Sequence, residues 1–244
     1  MNNKNGEVVW LSLGENCLPD DILKRHELKS FSTPYSSGRS NIDYALALEA
    51  TNYATLLDRD ALARGDVYGA PVVRSTRFVE SDPIFDPMHV RGFEFTHADP
   101  ISSEKDRESY GRKIARLLAI RGKLGVVFLY HHRRTDKSNL PLLREKLERF
   151  AELYSSDVAQ CTIALFHQEK IDPQRDRRLE TTHSRNLAEY VFHTEHMWAG
   201  SDPDLFWART DDDLIGSMLV DIASHAKHRR VDDVDRLGIF AEAA

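Results

Sequence analysis

Three short apolar runs constrain this chain most: VVWLSLG from residue 8, GVVFLYH from residue 125 and CTIALFH from residue 161. Each is rich in β-branched and aromatic residues and has the length of a strand. Their unbroken apolar character suits strands covered on both faces, as in a parallel sheet. Between the second and third runs, residues 140–153 carry apolar positions at helical spacing. A strand, a helix and a strand in succession predict a parallel crossover unit. The expected fold is α/β: a single three-layer domain with a mainly parallel central sheet.

The rest of the chain fills in around that core. A helix is expected over residues 18–28, with Pro19 in its first turn and Asp20 and Asp21 at its positive end. Residues 30–41, with Pro34, Gly38 and several serines, read as a surface loop able to cover the strand end before it. Ile42, Leu46 and Leu48 begin a second helical pattern. Residues 62–100 hold β-prone pieces broken by Gly and Pro and predict a small β-rich insertion. Tyr110, Ile114, Leu117 and Leu118 mark a helix over 110–120, and Leu214, Ile215, Met218, Leu219 and Ile222 another over 211–228. Residues 169–186 read as an exposed polar excursion, and residues 189–198 fit either a strand or a short helix.

A chain of 244 residues suits one substantial core, and its net charge of −6 gives no general attraction to nucleic acid. Local basic groups at Arg133, Arg134 and residues 227–230 could still hold anions. No apolar run approaches the roughly 18 residues of a transmembrane segment, and the opening MNNKNGE lacks the apolar stretch of a secretory signal. A cytoplasmic location follows as the expectation, with Cys17 and Cys161 as reduced, unpaired thiols. The expected partner is a small molecule, peptide or glycan, with no cofactor.

Site residues in an open α/β sheet gather at the carboxyl ends of the strands. Ser12, Gly14, Asn16 and Cys17 follow the first run, His131, His132 and Arg133 the second, and His167 the third. Cys17, at a helix start, is the candidate nucleophile. His97, after the apolar FEF, is its candidate base, and Asp99 would orient that histidine. Asn16 would stabilise an oxyanion or cap the helix. Gly14 would allow a tight turn or close approach of a ligand. Ser12 is an alternative nucleophile, although its only terminal Asp and His partners, Asp221 and His225, fit loosely. His131, His132, Arg133 and Arg134 could grip a phosphate or carboxylate. The competing reading makes Cys17 a small core residue and His97 a strand cap. His193 and His196 would share a helical face but oppose one another in a strand. With no HExxH and no paired CxxC, no metal centre is expected.

SLGENC, the following LPDDILKRHEL, STPYS, FEFTHADP and the block YGRKIARLLAIRGKLGVVFLYHHRR together resemble a bacterial family with an SLG-x-N-C opening, whose members are described as papain-like cysteine peptidases. The resemblance covers roughly the first half of the chain. It places Cys17 at the family's cysteine position, His97 at its histidine, and Asn16 and Arg133 at flanking polar positions. Where that family carries a PFDW-like segment this chain has Pro34, Tyr35, Ser36 and Ser37, and Ala98 separates His97 from Asp99. The implied alternative fold is an α+β papain-like arrangement. The function expected is a cysteine-dependent hydrolase or acyl transferase acting on an amide, thioester or related acyl bond. The alternatives are a glycan- or phosphate-handling transferase or hydrolase without covalent catalysis, and a non-catalytic sugar-, peptide- or protein-binding module.

Overall fold

A computed structural model describes residues 8–67, 69–77, 81–198 and 209–226. Its centre is a five-stranded sheet in the order β1-β6-β7-β9-β8. These strands are β1 (Val9–Gly14), β6 (Val126–His131), β7 (Cys161–Lys170), β8 (Arg178–His183) and β9 (Leu187–Thr194). The pairings β1 with β6, β6 with β7 and β7 with β9 are parallel, and β8 alone runs antiparallel, against β9. The three apolar runs are therefore adjacent parallel strands. The parallel pairing of Val126 with Cys161 excludes the antiparallel arrangement that would have defeated this topology.

Side-chain alternation divides the sheet between two cores. Val9, Leu11, Leu13, Val126, Phe128, Tyr130, Ile163 and Leu165 enter one, together with Leu143, Leu147 and Phe150 of α4 (Leu140–Tyr154) and Tyr110 and Leu117 of α3 (Glu104–Ile120). Trp10, Val127, Leu129, Ala164, Phe166, Tyr190 and Phe192 enter the other. There they meet Leu18 and Ile22 of α1 (Leu18–Arg25) and Ile215, Met218 and Ile222 of α5 (Asp212–His225). Burial on both faces explains why the runs are continuously apolar rather than alternating.

A second, antiparallel sheet in the order β2-β5-β4-β3 comprises β2 (Gly38–Arg39), β3 (Leu62–Val67), β4 (Ala70–Ser75) and β5 (Phe93–Phe95). Three of these strands lie in the expected insertion at residues 62–100, while β2 comes from before α2 (Ile42–Ala50). Val73, Phe85, Phe93 and Phe95 join the same core as β1 and β6. Gly92 shows why a glycine is needed at the turn into β5: its φ is +94°, and a Cβ there would lie 2.1 Å from the Ser75 carbonyl oxygen.

Two expectations need correction. Residues 30–41 are not a surface loop, because Phe31, Thr33, Pro34, Tyr35, Ser36, Ser40 and Asn41 are buried. The segment runs along the free edge of β1: Ser30 N–H donates to the Trp10 carbonyl, Ser30 Oγ accepts from Trp10 N–H, and Thr33 Oγ1 donates to the Ser12 carbonyl. It thus satisfies backbone groups that an edge strand would leave open. Residues 169–186 include the edge strand β8, whose polar side chains are mostly exposed and so gave no apolar signal. The ambiguous 189–198 region lies largely in β9. Among the described residues no helix is long and apolar enough to cross a membrane. The basic residues 227–230 lie outside the described residues.

Candidate functional site at the carboxyl edge of the parallel sheet

The alternation that sorts the two cores continues past the strand ends. Gly14 pairs with His131, so Glu15 and His132 stand side by side one step beyond. Gly14 is required there: its φ is +124°, and a Cβ would lie 2.8 Å from the Tyr130 ring. Glu15 follows Leu11 and Leu13 onto the face of the first core, and His132 follows Phe128 and Tyr130.

Glu15 is fully buried, with a relative exposure of 0%. Its Oε1 lies 2.6 Å from His132 Nδ1 and accepts the Tyr130 hydroxyl at 3.1 Å. Its Oε2 accepts the Arg133 backbone N–H at 3.1 Å and faces His89 Nδ1 at 3.1 Å. Burial alone would raise this carboxyl, but the charges and hydrogen bonds of His132 and His89 prevail and hold it well below the usual carboxylate range. Glu15 is therefore an ionised carboxylate inside the core.

On its other side, His132 Nε2 lies 2.8 Å from the Ser138 hydroxyl, in the loop before α4. Ser138 is half-buried, and its Oγ also accepts the Thr135 N–H at 2.9 Å. In the neutral tautomer that donates Nδ1–H to Glu15, Nε2 accepts the Ser138 O–H. Hydroxyl, imidazole and carboxylate thus form one continuous chain.

The opposite face carries different chemistry. Asn16 Nδ2 donates to His131 Nδ1 at 3.0 Å, while Asn16 Oδ1 accepts the Leu18 N–H at 3.1 Å. His131 packs against Phe166 and Trp198, with ring centroids 5.0 and 5.2 Å away. Burial pushes its imidazole down to about 3, with His132, His89 and His167 adding to the shift and Glu15 opposing it. Further along the first face, His167 Nε2 lies 3.0 Å from Glu189 Oε1, and Arg144 Nε donates to Glu189 Oε2 at 2.6 Å. Burial lowers the His167 pKa as well, against the pull of Glu189. His167 Nδ1 is buried with no hydrogen-bond partner among the described residues.

The expected strand-end residues are thus gathered at one edge of the sheet but do not act as one set. His131 and His132 point to opposite faces. Asn16 accepts the first N–H of α1 through Oδ1 and holds His131 through one of the two N–H groups of Nδ2. Ser12 is buried and bonds Ser36 Oγ at 2.9 Å and Asp20 Oδ1 at 3.2 Å, so it ties the Pro34–Ser37 turn to β1 without a histidine beside it. Arg133 and Arg134 face Asp86 and Glu169.

Cys17 is exposed at the start of α1, and Cys161 is buried; both are free thiols. Desolvation around the Cys17 sulfur raises its pKa, its own backbone N–H opposes, Asp21 raises it further, Arg39 lowers it and Asp20 raises it. Desolvation and the two aspartates thus oppose the thiolate that a helix start favours. His97 is exposed. Asp99 does not orient it: its Oδ2 accepts from Arg64 at 2.9 Å, and its Oδ1 accepts the backbone N–H groups of Ile101 and Ser102. Among the described residues no hydrogen bond joins Cys17, His97 and Asp99.

Glu15, His89, Tyr130 and Ser138 were missed in the sequence reading. Glu15 did carry a signal, since it is the next residue on the inward face of VVWLSLG and is acidic. His89 and Ser138 arrive from a short helical turn and a loop whose placement no periodicity encodes. Compared with protein-family models, curated proteins and solved structures, the chain matches none.

Proposed function

We propose that this chain is a three-layer α/β hydrolase or acyl transferase acting on an amide, thioester or related acyl bond, with Ser138 as nucleophile, His132 as general base and Glu15 as the carboxylate that orients and charge-stabilises His132. The observation that carries this reading is the chain of contacts from Ser138 Oγ to His132 Nε2 at 2.8 Å and from His132 Nδ1 to Glu15 Oε1 at 2.6 Å. Such a constellation is recognised by geometry and role, not by chain order. Ser138 Oγ would attack the acyl carbon as its proton passes to His132 Nε2. The imidazolium formed beside Glu15 would then protonate the leaving group. Water or an acceptor, deprotonated by the same ring, would release the acyl group. Ser138 immediately precedes the N-cap of α4, whose positive end favours negative charge developing at the acyl oxygen.

A second reading keeps Cys17 as the nucleophile of a papain-like site, and its exposure at the strand-to-helix turn favours it. Labelling with a fluorophosphonate and, separately, with iodoacetamide, together with turnover of aryl ester and thioester panels, distinguishes the two. The expected result is phosphonylation of Ser138 that is lost in Ser138→Ala and His132→Asn proteins, with turnover retained by Cys17→Ala. Turnover that survives Ser138→Ala and disappears in Cys17→Ala would transfer the assignment to the thiol. Inertness of the folded wild-type protein toward every probe would leave the binding-module reading.

A further inference from the structure

At the far edge of the sheet, β8 ends in His183, and α5 presents Asp221 and His225, four residues apart and so on one helical face. We propose that His183, Asp221 and His225 bind a borderline divalent transition ion such as Zn²⁺, at a site separate from the Glu15 network. One ligand atom from each residue lies within 4.8 Å of the other two, the only such grouping among the described residues. The His183 and His225 rings are stacked, with centroids 3.6 Å apart and planes 10° from parallel.

The donor set selects the ion. Two imidazoles and one carboxylate suit Zn²⁺, Co²⁺, Ni²⁺ or Cu²⁺, whereas Ca²⁺ and Mg²⁺ require mainly oxygen ligands. Three protein ligands leave a fourth position for water. His183 and His225 are exposed and Asp221 is half-buried, so the site faces solvent. The carboxylate is already oriented: Tyr190 OH donates to Asp221 Oδ2 at 2.7 Å, and His183 Nε2 lies 3.1 Å from the same oxygen. Among the described residues both contacts fall on Oδ2, leaving Oδ1 to meet the cation. The phenol of Tyr190 acts on the carboxylate as outer hydrogen-bond partners do in metal sites. His183 pairs with Ala188 at the end of the β8–β9 ladder, so the ion would fasten the edge strand to α5.

The test uses untagged full-length protein freed of metal by chelation. Titration with Zn²⁺ against a chromophoric competitor is expected to give one equivalent per chain, and Co²⁺ is expected to give the visible absorption of a four-coordinate site. At ~100 times the dissociation constant, Zn²⁺ should raise Tm by roughly 5–10 °C. His183→Ala, Asp221→Asn and His225→Ala should each abolish the Tm shift, and Tyr190→Phe, which keeps the ring, should weaken affinity about 10-fold. His225→Gln serves as a second variant with only an exposed side chain altered. Failure of Zn²⁺ and Co²⁺ to bind the wild-type protein, or binding unchanged in both His225 variants, would overturn the proposal.

Discussion

Residues 15 and 16 are neighbours in sequence, as are residues 131 and 132, yet the two pairs build opposite environments. On the first face Glu15 and His132 form an ionic network with His89, Tyr130 OH and the Arg133 N–H. On the second, Asn16 and His131 form a neutral pair between Phe166 and Trp198. The polypeptide that delivers both is the same; only strand alternation differs. Proximity along the chain is therefore a poor guide to shared chemistry at a strand end, where a step of one residue changes the core to which a side chain belongs.

The largest effect should come from breaking the ionic face. Glu15→Ala strands several buried donors at once and is expected to cost about 3–5 kcal/mol, the range for removing one partner of a buried charge cluster. Urea unfolding measures it, and a loss below about 1 kcal/mol would show that the network is not the anchor described.

Acid should separate the two faces by their onset. His131 has its folded pKa lowered from 6.5 to about 3, so the stability tied to its neutral form is complete above pH 6.5 and is lost as pH falls towards 3. Glu15 also has a depressed folded pKa, below its ordinary 4.5, so its contribution is complete above that pH and is lost only at lower values. Urea midpoints at pH 7.5, 5.5 and 3.5 should decline in both intervals. His131→Phe should flatten both intervals, because its loss runs from pH 6.5 towards 3, whereas Glu15→Gln should flatten only the second; identical pH profiles for the two variants would contradict the division.

At neutral pH His131→Phe should cost only ~1–2 kcal/mol, because the aromatic packing survives while Asn16 Nδ2 loses its acceptor. Thermal or urea unfolding would reveal a larger loss, which would mean that the second face is as tightly specified as the first. The smallest stability effect is expected at exposed Cys17, where Cys17→Ala should change unfolding free energy by less than about 0.5 kcal/mol. In competitive alkylation Cys17 should still react faster than Cys161, because Cys161 is fully buried and burial raises its thiol strongly. Equal rates in the folded protein would contradict this ordering.

The legible parts of the fold were those encoded by local periodicity. The runs at 8–14, 125–131 and 161–167 identified three parallel strands, and Leu143, Leu147 and Phe150 marked the helix between two of them. β8 was not legible, because an exposed edge strand needs no apolar face. β2 was not legible either, since two residues carry no pattern. At the site, sequence drew attention to the strand-end turn and its histidines but selected Cys17 where the inward-facing residue is Glu15.

By itself, then, the sequence determined the α/β class, the parallel direction of the central strands and the gathering of polar residues at their carboxyl ends. Each follows from hydrophobic burial repeating at the period of a strand or helix. Tertiary structure alone decided the partners. His89 meets Glu15 from a short helical turn 74 positions away, and His183 stacks on His225 between a strand and a helix. Such meetings depend on where packed elements and their loops end in space, a long-range property that no local pattern of residues records.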